Sequence, residues 1–348
     1  MRRYDFVVVG SGIAGLSFAL KASAHGSVAV VTKRSGDESN TVYAQGGVAC
    51  VTSLEDSFEL HIADTHAAGA GLCNDQAVRT VVTEGPERVR ELIGYGVEFD
   101  ERELDEGGTE LDLGREGGHS KRRVLHSRDV TGREIERKLL AAARATPAIS
   151  LLENHLGIDL ITTGKLGITT DDRCVGVYVL DEDSGVVETL RSDRIVLATG
   201  GCGKIYLYTT NPAIATGDGV AMAWRAGATI ANMEFVQFHP TCLFHPEARS
   251  FLISEAARGE GGRLVDARGR EFMPDYHERG ALAPRDVVAR AIDAEMKRTG
   301  EKCVFLDLTH KSDDFLRQRF PTIHRRCLEF GIDIGRRPIP VVPAAHYQ

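Results

Sequence analysis

The sequence predicts an α/β fold built on a parallel sheet, and two observations near the N-terminus support this. "DFVVVG" and "SVAVVT" are continuous apolar runs, as expected of strands that are covered on both faces of a parallel sheet. A glycine-rich turn and a stretch with helical periodicity separate the two runs, which is the order of a βαβ unit. The 348 residues, of which 42% are hydrophobic, suffice for at least one sizeable core and favour two.

Composition narrows the class of protein. The net charge is -8, and no block of lysine and arginine with interleaved aromatic residues occurs, so a nucleic-acid surface is not expected. The seven cysteines are widely separated and never form a C-x-x-C pair, which predicts neither a disulfide framework nor a metal site. No apolar run reaches the roughly eighteen residues of a membrane span, and the apolar N-terminus continues into a second strand, unlike a cleaved leader. We therefore expect a cytoplasmic protein without a membrane partner.

Three glycines at the first strand-to-helix turn define the N-terminal unit more closely. Gly10, Gly12 and Gly15 form G-x-G-x-x-G, in which the first permits the tight turn, the second the approach of a pyrophosphate and the third close helix packing. The helix N-terminus offers free N–H groups and a partial positive charge to phosphates. This context predicts a Rossmann-like dinucleotide-binding unit with the cofactor-binding residues Gly10, Ser11, Gly12, Ile13, Ala14 and Gly15.

The second strand ends in Lys33, where an acidic residue that binds a ribose hydroxyl is usual. Two interpretations of Lys33 are open. It either contacts the phosphate or ribose region of the cofactor, or it is a solvated strand end.

The chain then alternates between helical and extended patterns. Apolar spacing predicts helices within residues 57–96 and 129–146, whereas the glycine- and charge-rich stretch 101–118 is expected to be irregular. Strands are predicted at 149–163, 174–181, 186–192 and 194–203, with a hairpin near 183–185. The small turn at Thr199 and Gly200 permits close approach of a nucleotide, and Asp218 either contacts the cofactor or caps the helix that it opens.

"SNTVYAQGG", residues 39–47, carries no formal charge in a chain that is 26% charged. Serine, asparagine and glycine also cluster in ordinary surface turns, so this composition alone does not decide a function.

Seven short motifs occur in an order that resembles the flavoprotein family of succinate dehydrogenase, fumarate reductase and L-aspartate oxidase. They are the glycine motif, "TVYAQGG", "ATGG", "TGDG", "QFHPT", "SEAARGEGG" and "LAPRDVVARAI". The resemblance covers essentially the whole chain and is closest to the L-aspartate oxidases, through "REGGHSKRRVLH" and "NTVYAQGGVA". It implies an FAD-binding domain at 1–231, an inserted α+β capping domain at 232–343 and the start of a return to the FAD-binding domain at 344–348. The rest of that return and the C-terminal helical domain of the family are expected to be absent.

The resemblance also answers why residues 39–47 lack charge. In similar proteins this loop wraps the flavin, where a fixed side-chain charge in a desolvated pocket would be costly and would shift the flavin potential. Asn40 stands where covalent flavoproteins of the family carry histidine, so non-covalent FAD is expected. The implied cofactor-binding residues are, in addition to the glycine turn, Lys33, Asn40, Thr41, Val42, Tyr43, Ala44, Gln45, Gly46, Gly47, Thr199, Gly200 and Asp218.

Substrate residues are implied in the capping domain and in one loop before it. Alternation in "QFHPT" places Gln237 and His239 on one face of a strand. Arg285 corresponds to the family's arginine beside the flavin, and Glu255 lies one helical turn before Arg258, so these two either relay a proton or form a surface ion pair. Arg285 acts as a proton carrier or as a carboxylate clamp. The implied catalytic residues are Arg285, Glu255 and Arg258, and the implied substrate-binding residues are Glu116, Gln237, His239, Ser254 and His346.

Glu116 resembles the residue that selects aspartate, because a carboxylate complements the substrate ammonium. The implied reaction is oxidation of L-aspartate to iminoaspartate, with oxygen or fumarate as electron acceptor, at the first step of bacterial NAD synthesis. The product would pass to quinolinate synthase. The alternatives are a non-covalent fumarate reductase or succinate dehydrogenase flavoprotein, and a truncated chain without turnover. The segment's other charged residues, Arg115, His119 and Arg122, are given no role.

Overall fold

Helices and strands alternate along this computed structural model, which describes residues 1–104, 107–128, 130–168, 171–248 and 251–347. Asp105 and Glu106, in the stretch expected to be irregular, and Asp129, in the predicted helix 129–146, lie outside the described residues. The α-helices are α1 (Ile13–Ala22), α2 (Asn40–Tyr43), α3 (Phe58–Gly69), α4 (Asp75–Gly94), α5 (Thr131–Ala145), α6 (Asp218–Arg225), α7 (Ala256–Gly259), α8 (Arg285–Thr299), α9 (Asp313–Arg319) and α10 (Pro321–Glu329).

The strands are β1 (Arg2–Arg3), β2 (Phe6–Val9), β3 (Val28–Val31), β4 (Val48–Ala49), β5 (Glu101–Glu103), β6 (Thr109–Leu111), β7 (Leu113–Gly114), β8 (Val124–Leu125), β9 (Ile149–Leu152), β10 (His155–Thr162), β11 (Cys174–Asp181), β12 (Val186–Arg191), β13 (Ile195–Leu197), β14 (Gln237–Leu243), β15 (Arg263–Val265), β16 (Val304–Asp307) and β17 (Ile339–Tyr347). The predicted helices between residues 57 and 146 are found, and the hairpin between β11 and β12 is at the expected place. The strand predicted at 149–163 is instead two strands, β9 and β10, which belong to different sheets, and the strand predicted at 194–203 ends at Leu197.

A parallel sheet with the order β13-β2-β3-β9 forms the centre of the N-terminal part. Val7, Val8, Val28 and Val30 are fully buried, because α1 and α5 pack on one face of the sheet and other strands on the opposite face. Both faces are therefore covered, which is why the strands read as continuous apolar runs.

The glycine turn holds α1 against this sheet. A Cβ on Gly10 would lie closer to the carbonyl oxygen of Ala198 than real Cβ contacts allow, and a Cβ on Gly15 would meet the carbonyl of Gly10 in the same way. Gly10 also has φ of 115°, which disfavours other residues. The third glycine of the motif therefore serves helix-to-turn packing, as predicted.

The expectation of an irregular stretch at 101–118 is wrong for the residues described there. β5 and β6 form an antiparallel hairpin, with Glu101 opposite Leu111, and Arg102 and Glu110 form an ion pair across it. β7 pairs with β8, which in turn pairs with β4. Cross-strand side-chain pairs stabilise these short strands despite the glycine content.

An antiparallel sheet with the order β14-β17-β16-β15 lies in the C-terminal part and has a core of its own. Its buried cluster draws on residues 243–341 and includes Phe272, Ile292 and Leu306. Asn232, at the predicted boundary, has φ of 62°, a left-handed conformation that asparagine tolerates. The predicted boundary at 343/344 falls inside β17, which pairs with β14 as far as Tyr347 and also forms a bridge from Ala345 to Thr209. Gln348 lies outside the described residues.

Within the described parts of the chain, no helix has both the length and the apolar character that crossing a bilayer would require.

Candidate cofactor and substrate site

The predicted cofactor residues converge at the carboxyl ends of the parallel strands. Gly10 follows β2, Lys33 follows β3 and Thr199 follows β13, so the three turns meet at one edge of the sheet. The buried Ser11 hydroxyl donates to Thr32 Oγ1 at 2.9 Å and joins the first two turns. Ligands of open α/β sheets bind in the crevice outside this edge.

Lys33 and Asp218 form an ion pair across this edge. The interpretations of Lys33 as a solvated strand end and of Asp218 as a helix cap are therefore both wrong. Lys33 is not a solvated strand end, because its side chain is 23% exposed and its ammonium group also donates to Thr216 Oγ1 at 2.6 Å. Asp218 does not cap α6: the N-cap is Gly217, with φ of 78° and no side-chain cap hydrogen bond. The pair instead ties the end of β3 to the start of α6. Cofactor contact by either residue remains a prediction.

The uncharged stretch at 39–47 begins with one turn of helix, α2, and is not loop throughout. Ser39 caps this turn by accepting from the backbone N–H of Val42 at 3.4 Å. Thr41 Oγ1 accepts from the N–H of Ile13 at 3.1 Å, so α2 lies directly against the N-terminus of α1. The Asn40 amide nitrogen is 3.5 Å from the Cβ position of Gly200, which brings α2 to the "ATGG" turn.

This edge of the sheet fits a dinucleotide cofactor. Ile13 and Tyr43 are exposed although their side chains are large and mainly apolar, and Gly46 and Gly47 are exposed as well. The N-cap of α1 is Gly12, which has no side chain to occupy the helix N-terminus. This exposed surface lies next to a helix N-terminus at which Thr41 accepts from Ile13 and the N-cap residue adds no side chain, an arrangement that suits a flavin ring and a pyrophosphate.

Glu116 connects this cofactor edge with the C-terminal sheet. One of its carboxylate oxygens is 3.2 Å from the Cβ position of Gly46, and the other accepts from Arg285 Nη2 at 3.3 Å. Burial raises the pKa of Glu116 although the charge of Arg285 lowers it. Gly117, the next residue, has a Cβ position 2.8 Å from Glu255 Oε1, so the loop lies directly on the capping residues.

Arg285 is the centre of the candidate substrate site. It is the first residue of α8, and its Nε donates to Glu255 Oε2 while Nη1 donates to Gln237 Oε1 at 3.3 Å. Burial lowers the pKa of Arg285, but the charge of Glu255, its hydrogen bond and the charge of Glu116 together raise it above the ordinary arginine value. Arg285 is thus held as a cation between two carboxylates.

Glu255 and Arg258 form a buried pair, which excludes the interpretation of a surface salt bridge. Glu255 is the N-cap residue of α7, and its Oε2 is 3.4 Å from Arg258 Nη2. The Arg258 side chain is completely buried, its Nη1 donates to the carbonyl of Ala281 at 2.7 Å, and desolvation lowers its pKa. Two arginines and two carboxylates therefore form one cluster, in which Arg258 is completely buried and Glu116, 36% exposed, is the most open side chain.

His239 and His346 complete the cluster from β14 and β17. Their rings lie 5.4 Å apart, and burial, with the nearby charge of Arg285, lowers the pKa of His239 well below 6.5 and that of His346 to about 4. Both rings are therefore neutral at pH 7. The Nδ1 atom of His239 accepts from the N–H of Thr241 at 3.2 Å, so its proton resides on Nε2, where it is available to a carboxylate. His346 Nδ1 lies 2.7 Å from Thr210 Oγ1.

The structure thus brings together most of the predicted substrate residues. Ser254 is next to Glu255 in sequence, and its hydroxyl accepts from the N–H of Ala256 at 3.3 Å instead of contacting the cluster. Arg115 and Arg122 are exposed, as expected of residues that were given no role.

Arg123 was not predicted. It is fully buried, its Nε donates to Asp56 at 2.8 Å and its Nη1 to Asp64 at 2.6 Å. Asp64 also accepts from the backbone N–H of Ser120, so this cluster anchors the segment that carries Glu116. No sequence signal distinguishes Arg123 from the neighbouring arginines, because its partners Asp56 and Asp64 lie 67 and 59 residues earlier in the chain.

One further group of described residues has the geometry of metal ligands. Asp313, His324 and Asp333 place one ligand atom each within 4.8 Å of one another. The carboxylates already pair with Arg317 and Arg336, so the group is an ion-pair cluster.

Comparison with known proteins assigns the fold. The family of the FAD binding domain matches residues 5–348. The chain belongs to this family. Its cofactor is FAD.

Curated relatives of the FAD-binding chain share more than half of its residues. An L-aspartate oxidase of Ralstonia nicotianae is 56% identical over 344 residues, which are 99% of this chain and 64% of that protein. An L-aspartate oxidase of Pseudomonas aeruginosa is 53% identical with the same shares. The chain therefore spans less than two thirds of the length of these relatives.

Among solved structures, an E. coli quinol fumarate reductase mutant superposes with a TM-score of 0.89 and 33% identity, covering 100% of this chain and 61% of that one. Sdh1 of Mycobacterium smegmatis superposes with a TM-score of 0.81 and 32% identity, covering 100% of this chain and 60% of that one. Both similarities extend over the cofactor edge and the C-terminal sheet.

Proposed function

We propose that this chain is the FAD-binding and capping part of an L-aspartate oxidase, which oxidises L-aspartate to iminoaspartate with oxygen or fumarate as electron acceptor. Residues 1–231 bind FAD, and the segment from residue 232, with β17 as its last strand, covers it. The relatives at 53–56% identity support this proposal. The observation that carries it is the position of Glu116 between Gly46 and Arg285.

FAD supplies the chemistry by accepting a hydride from the substrate, and the protein residues bind and orient that substrate. The Nε edge of Arg285 is fixed by Glu255, whereas its Nη atoms make only long contacts of 3.3 Å. A substrate carboxylate therefore displaces weak partners when it binds in a bidentate manner. His239, neutral with its proton on Nε2, donates to the second carboxylate.

Glu116 selects aspartate in this proposal. Once a substrate carboxylate occupies the Nη atoms of Arg285, the Glu116 carboxylate is released to accept hydrogen bonds from the substrate ammonium. A four-carbon dicarboxylate without an amino group would leave Glu116 close to substrate carboxylates and unpaired, which is unfavourable in a desolvated site.

A proton must also leave the substrate nitrogen when the imine forms. Glu255, which contacts both arginines, is the group through which it would pass. Arg285 lies between the carboxylates of Glu255 and Glu116 and presents its Nη atoms in one plane, which supports Arg285 as a carboxylate clamp over Arg285 as a proton carrier. Arg258 balances the charge of Glu255 from its buried side.

The cofactor is held non-covalently in this proposal. Asn40 occupies the position beside Gly200, and an amide offers no nucleophile for attachment to a flavin. We further infer a cytoplasmic enzyme at the first step of bacterial NAD synthesis, whose labile product passes to quinolinate synthase.

A second candidate is a fumarate reductase or succinate dehydrogenase flavoprotein, which the structural match at a TM-score of 0.89 favours. Reduction of the bound flavin separates the two. With the FAD-loaded chain under anaerobic conditions, L-aspartate should bleach the flavin absorbance faster than succinate, and faster bleaching by succinate would support the second candidate.

Replacement of the deciding residue sharpens the test. Glu116→Gln removes the charge-assisted hydrogen bond to the ammonium, which contributes about 1.5–3 kcal/mol, so the preference for aspartate over succinate should fall by about 10- to 150-fold. Glu110→Gln, at an exposed carboxylate of β6, is the matched control and should keep the preference. An unchanged preference in Glu116→Gln would refute the role of Glu116.

A further inference from the structure

Glu136 is a buried carboxyl group without a hydrogen-bond partner. It lies in α5, its residue is 0% exposed, and neither carboxyl oxygen satisfies hydrogen-bond geometry with any described group. Burying a carboxyl group without a hydrogen-bond partner costs free energy, and the cost is larger for the ionised form than for the neutral acid. The residues described above as the cofactor and substrate site do not use it.

The neighbours of Glu136 belong to the cofactor edge. Its carboxyl group faces the hydroxyls of Ser39 and Thr41, which lower its pKa by side-chain hydrogen bonding although neither contact has full hydrogen-bond geometry. Both hydroxyl oxygens already accept from backbone N–H groups, of Val42 and Ile13 respectively. Each hydroxyl therefore has its own proton left to give to a third group.

The first turn of α5 is built to support α2. Gly132 has a Cβ position too close to the carbonyl oxygen of Thr41 for any side chain, and its N–H donates to the carbonyl of Ala44 at 3.0 Å. Glu136 follows one helical turn later on the same side. The turn of α2 that contacts the α1 N-terminus thus rests on Gly132 and Glu136.

The charged groups on the surrounding elements have other partners. Tyr43 of α2 donates to Glu38, Lys21 of α1 pairs with Glu91, and Glu153 after β9 accepts from Gly36 and pairs with Arg144. Within α5, Glu134 pairs with Arg137 and Lys138. The negative charge of Asp37 raises the pKa of Glu136 and so opposes its ionisation. The positive charge of Arg133 lowers the pKa of Tyr43.

We propose that Glu136 is a positioning residue for FAD: its carboxyl group, as a neutral acid, seats Ser39 and Thr41 and so holds α2 against the phosphate-binding N-terminus of α1. A neutral carboxyl can donate to one hydroxyl oxygen and accept from the other, which suits the paired neighbours. Desolvation raises the pKa of Glu136 to about 8, so the group is neutral at pH 7 and charges above pH 8. Ionisation would place a desolvated charge without a cationic partner beneath the turn, which the two hydroxyls offset only in part, and would therefore loosen it.

The test is the FAD affinity of the apo chain as a function of pH, measured by quenching of flavin fluorescence. Wild type should bind FAD about fivefold more weakly at pH 9 than at pH 8, because only the neutral acid seats the turn. Glu136→Gln, which mimics the neutral acid, should match wild-type affinity at pH 7 and remain flat to pH 9. Glu136→Leu should bind more weakly at every pH.

Glu134→Gln is the matched control, since Glu134 lies in the same helix and is paired with cations. It should retain the wild-type pH dependence. If FAD affinity fell with pH in Glu136→Gln as it does in wild type, or if Glu136→Leu bound FAD with full affinity, the proposal would be overturned. The proposal rests on FAD binding and not on the substrate, so failure of aspartate to reduce the flavin leaves it unaffected.

A second readout does not need the cofactor. In the unfolded chain Glu136 titrates near its ordinary pKa of 4.5, whereas the folded value is about 8, so folding is linked to proton uptake between these values. The urea midpoint of wild type should therefore fall relative to Glu136→Gln as the pH rises from 5 to 8. Parallel midpoints across this window would overturn the neutral-acid step even if FAD binds.

Discussion

Replacing Arg285 by lysine keeps a positive charge at the centre of the cluster but removes the planar guanidinium group. Arg285 uses three nitrogen atoms for three partners, namely Glu255, Gln237 and Glu116. A lysine ammonium that stays with Glu255 cannot also present two parallel N–H groups to a substrate carboxylate. The loss of one charge-assisted hydrogen bond, about 1.5–3 kcal/mol, predicts a fall of about 10- to 150-fold in the rate of flavin reduction per unit of aspartate concentration.

The assay is anaerobic stopped-flow reduction of the FAD-loaded chain over a range of L-aspartate concentrations. Arg290→Lys is the matched control, because Arg290 lies in the same helix, is 73% exposed and forms a surface pair with Asp286 at 2.8 Å. It should remain within about twofold of wild type, as surface pairs contribute little. If Arg285→Lys stayed within threefold of wild type, the assignment of Arg285 as the carboxylate clamp would be refuted.

Two further predictions concern the glycine turn and the buried histidines. Gly12→Ala should fold, because the new Cβ would lie 3.3 Å from Thr41 Oγ1, but it should no longer bind FAD. Gly15→Ala should instead lose about 1–3 kcal/mol of stability, because its Cβ would clash with Gly10. FAD titration and urea unfolding separate the two effects, and normal FAD binding by Gly12→Ala would contradict the role of the turn. His346, whose pKa falls from 6.5 to about 4 on burial, stabilises the fold above pH 6.5, and this contribution of at most about 3 kcal/mol is lost as the pH drops toward 4. His346→Gln should therefore lose less stability than wild type between pH 7 and pH 4.5 in urea unfolding, and equal losses would count against a buried neutral ring.

The parts of the fold that could be predicted from the sequence are those that depend on neighbouring residues. The glycine turn is one, because Gly15 is required by its contact with Gly10 inside a single βαβ unit, although Gly10 itself packs against the distant Ala198. Arg285 and the pair of Glu255 and Arg258 are others, since short motifs carry them. The hairpin of β5 and β6 was missed because its cross-strand pairing is not visible in a glycine- and charge-rich stretch.

Residues whose role depends on tertiary packing could not be predicted. Arg123 is one of several arginines in its segment, and only the fold shows that Asp56 and Asp64 surround it. Glu136 occupies a position in an amphipathic helix that becomes buried because Gly132 admits α2 so closely. Asp218 could be taken for a helix cap until Lys33, 185 residues earlier in the chain, was found beside it.

The central claim is that the uncharged N-terminal edge and the C-terminal sheet enclose one FAD and one amino dicarboxylate between them. The structure of the chain with FAD and an L-aspartate analogue tests this most directly. The account predicts the flavin ring against residues 40–47, a ligand carboxylate on Arg285 and the ligand amino group facing Glu116. A flavin bound elsewhere, or a ligand whose amino group points away from Glu116, would contradict it.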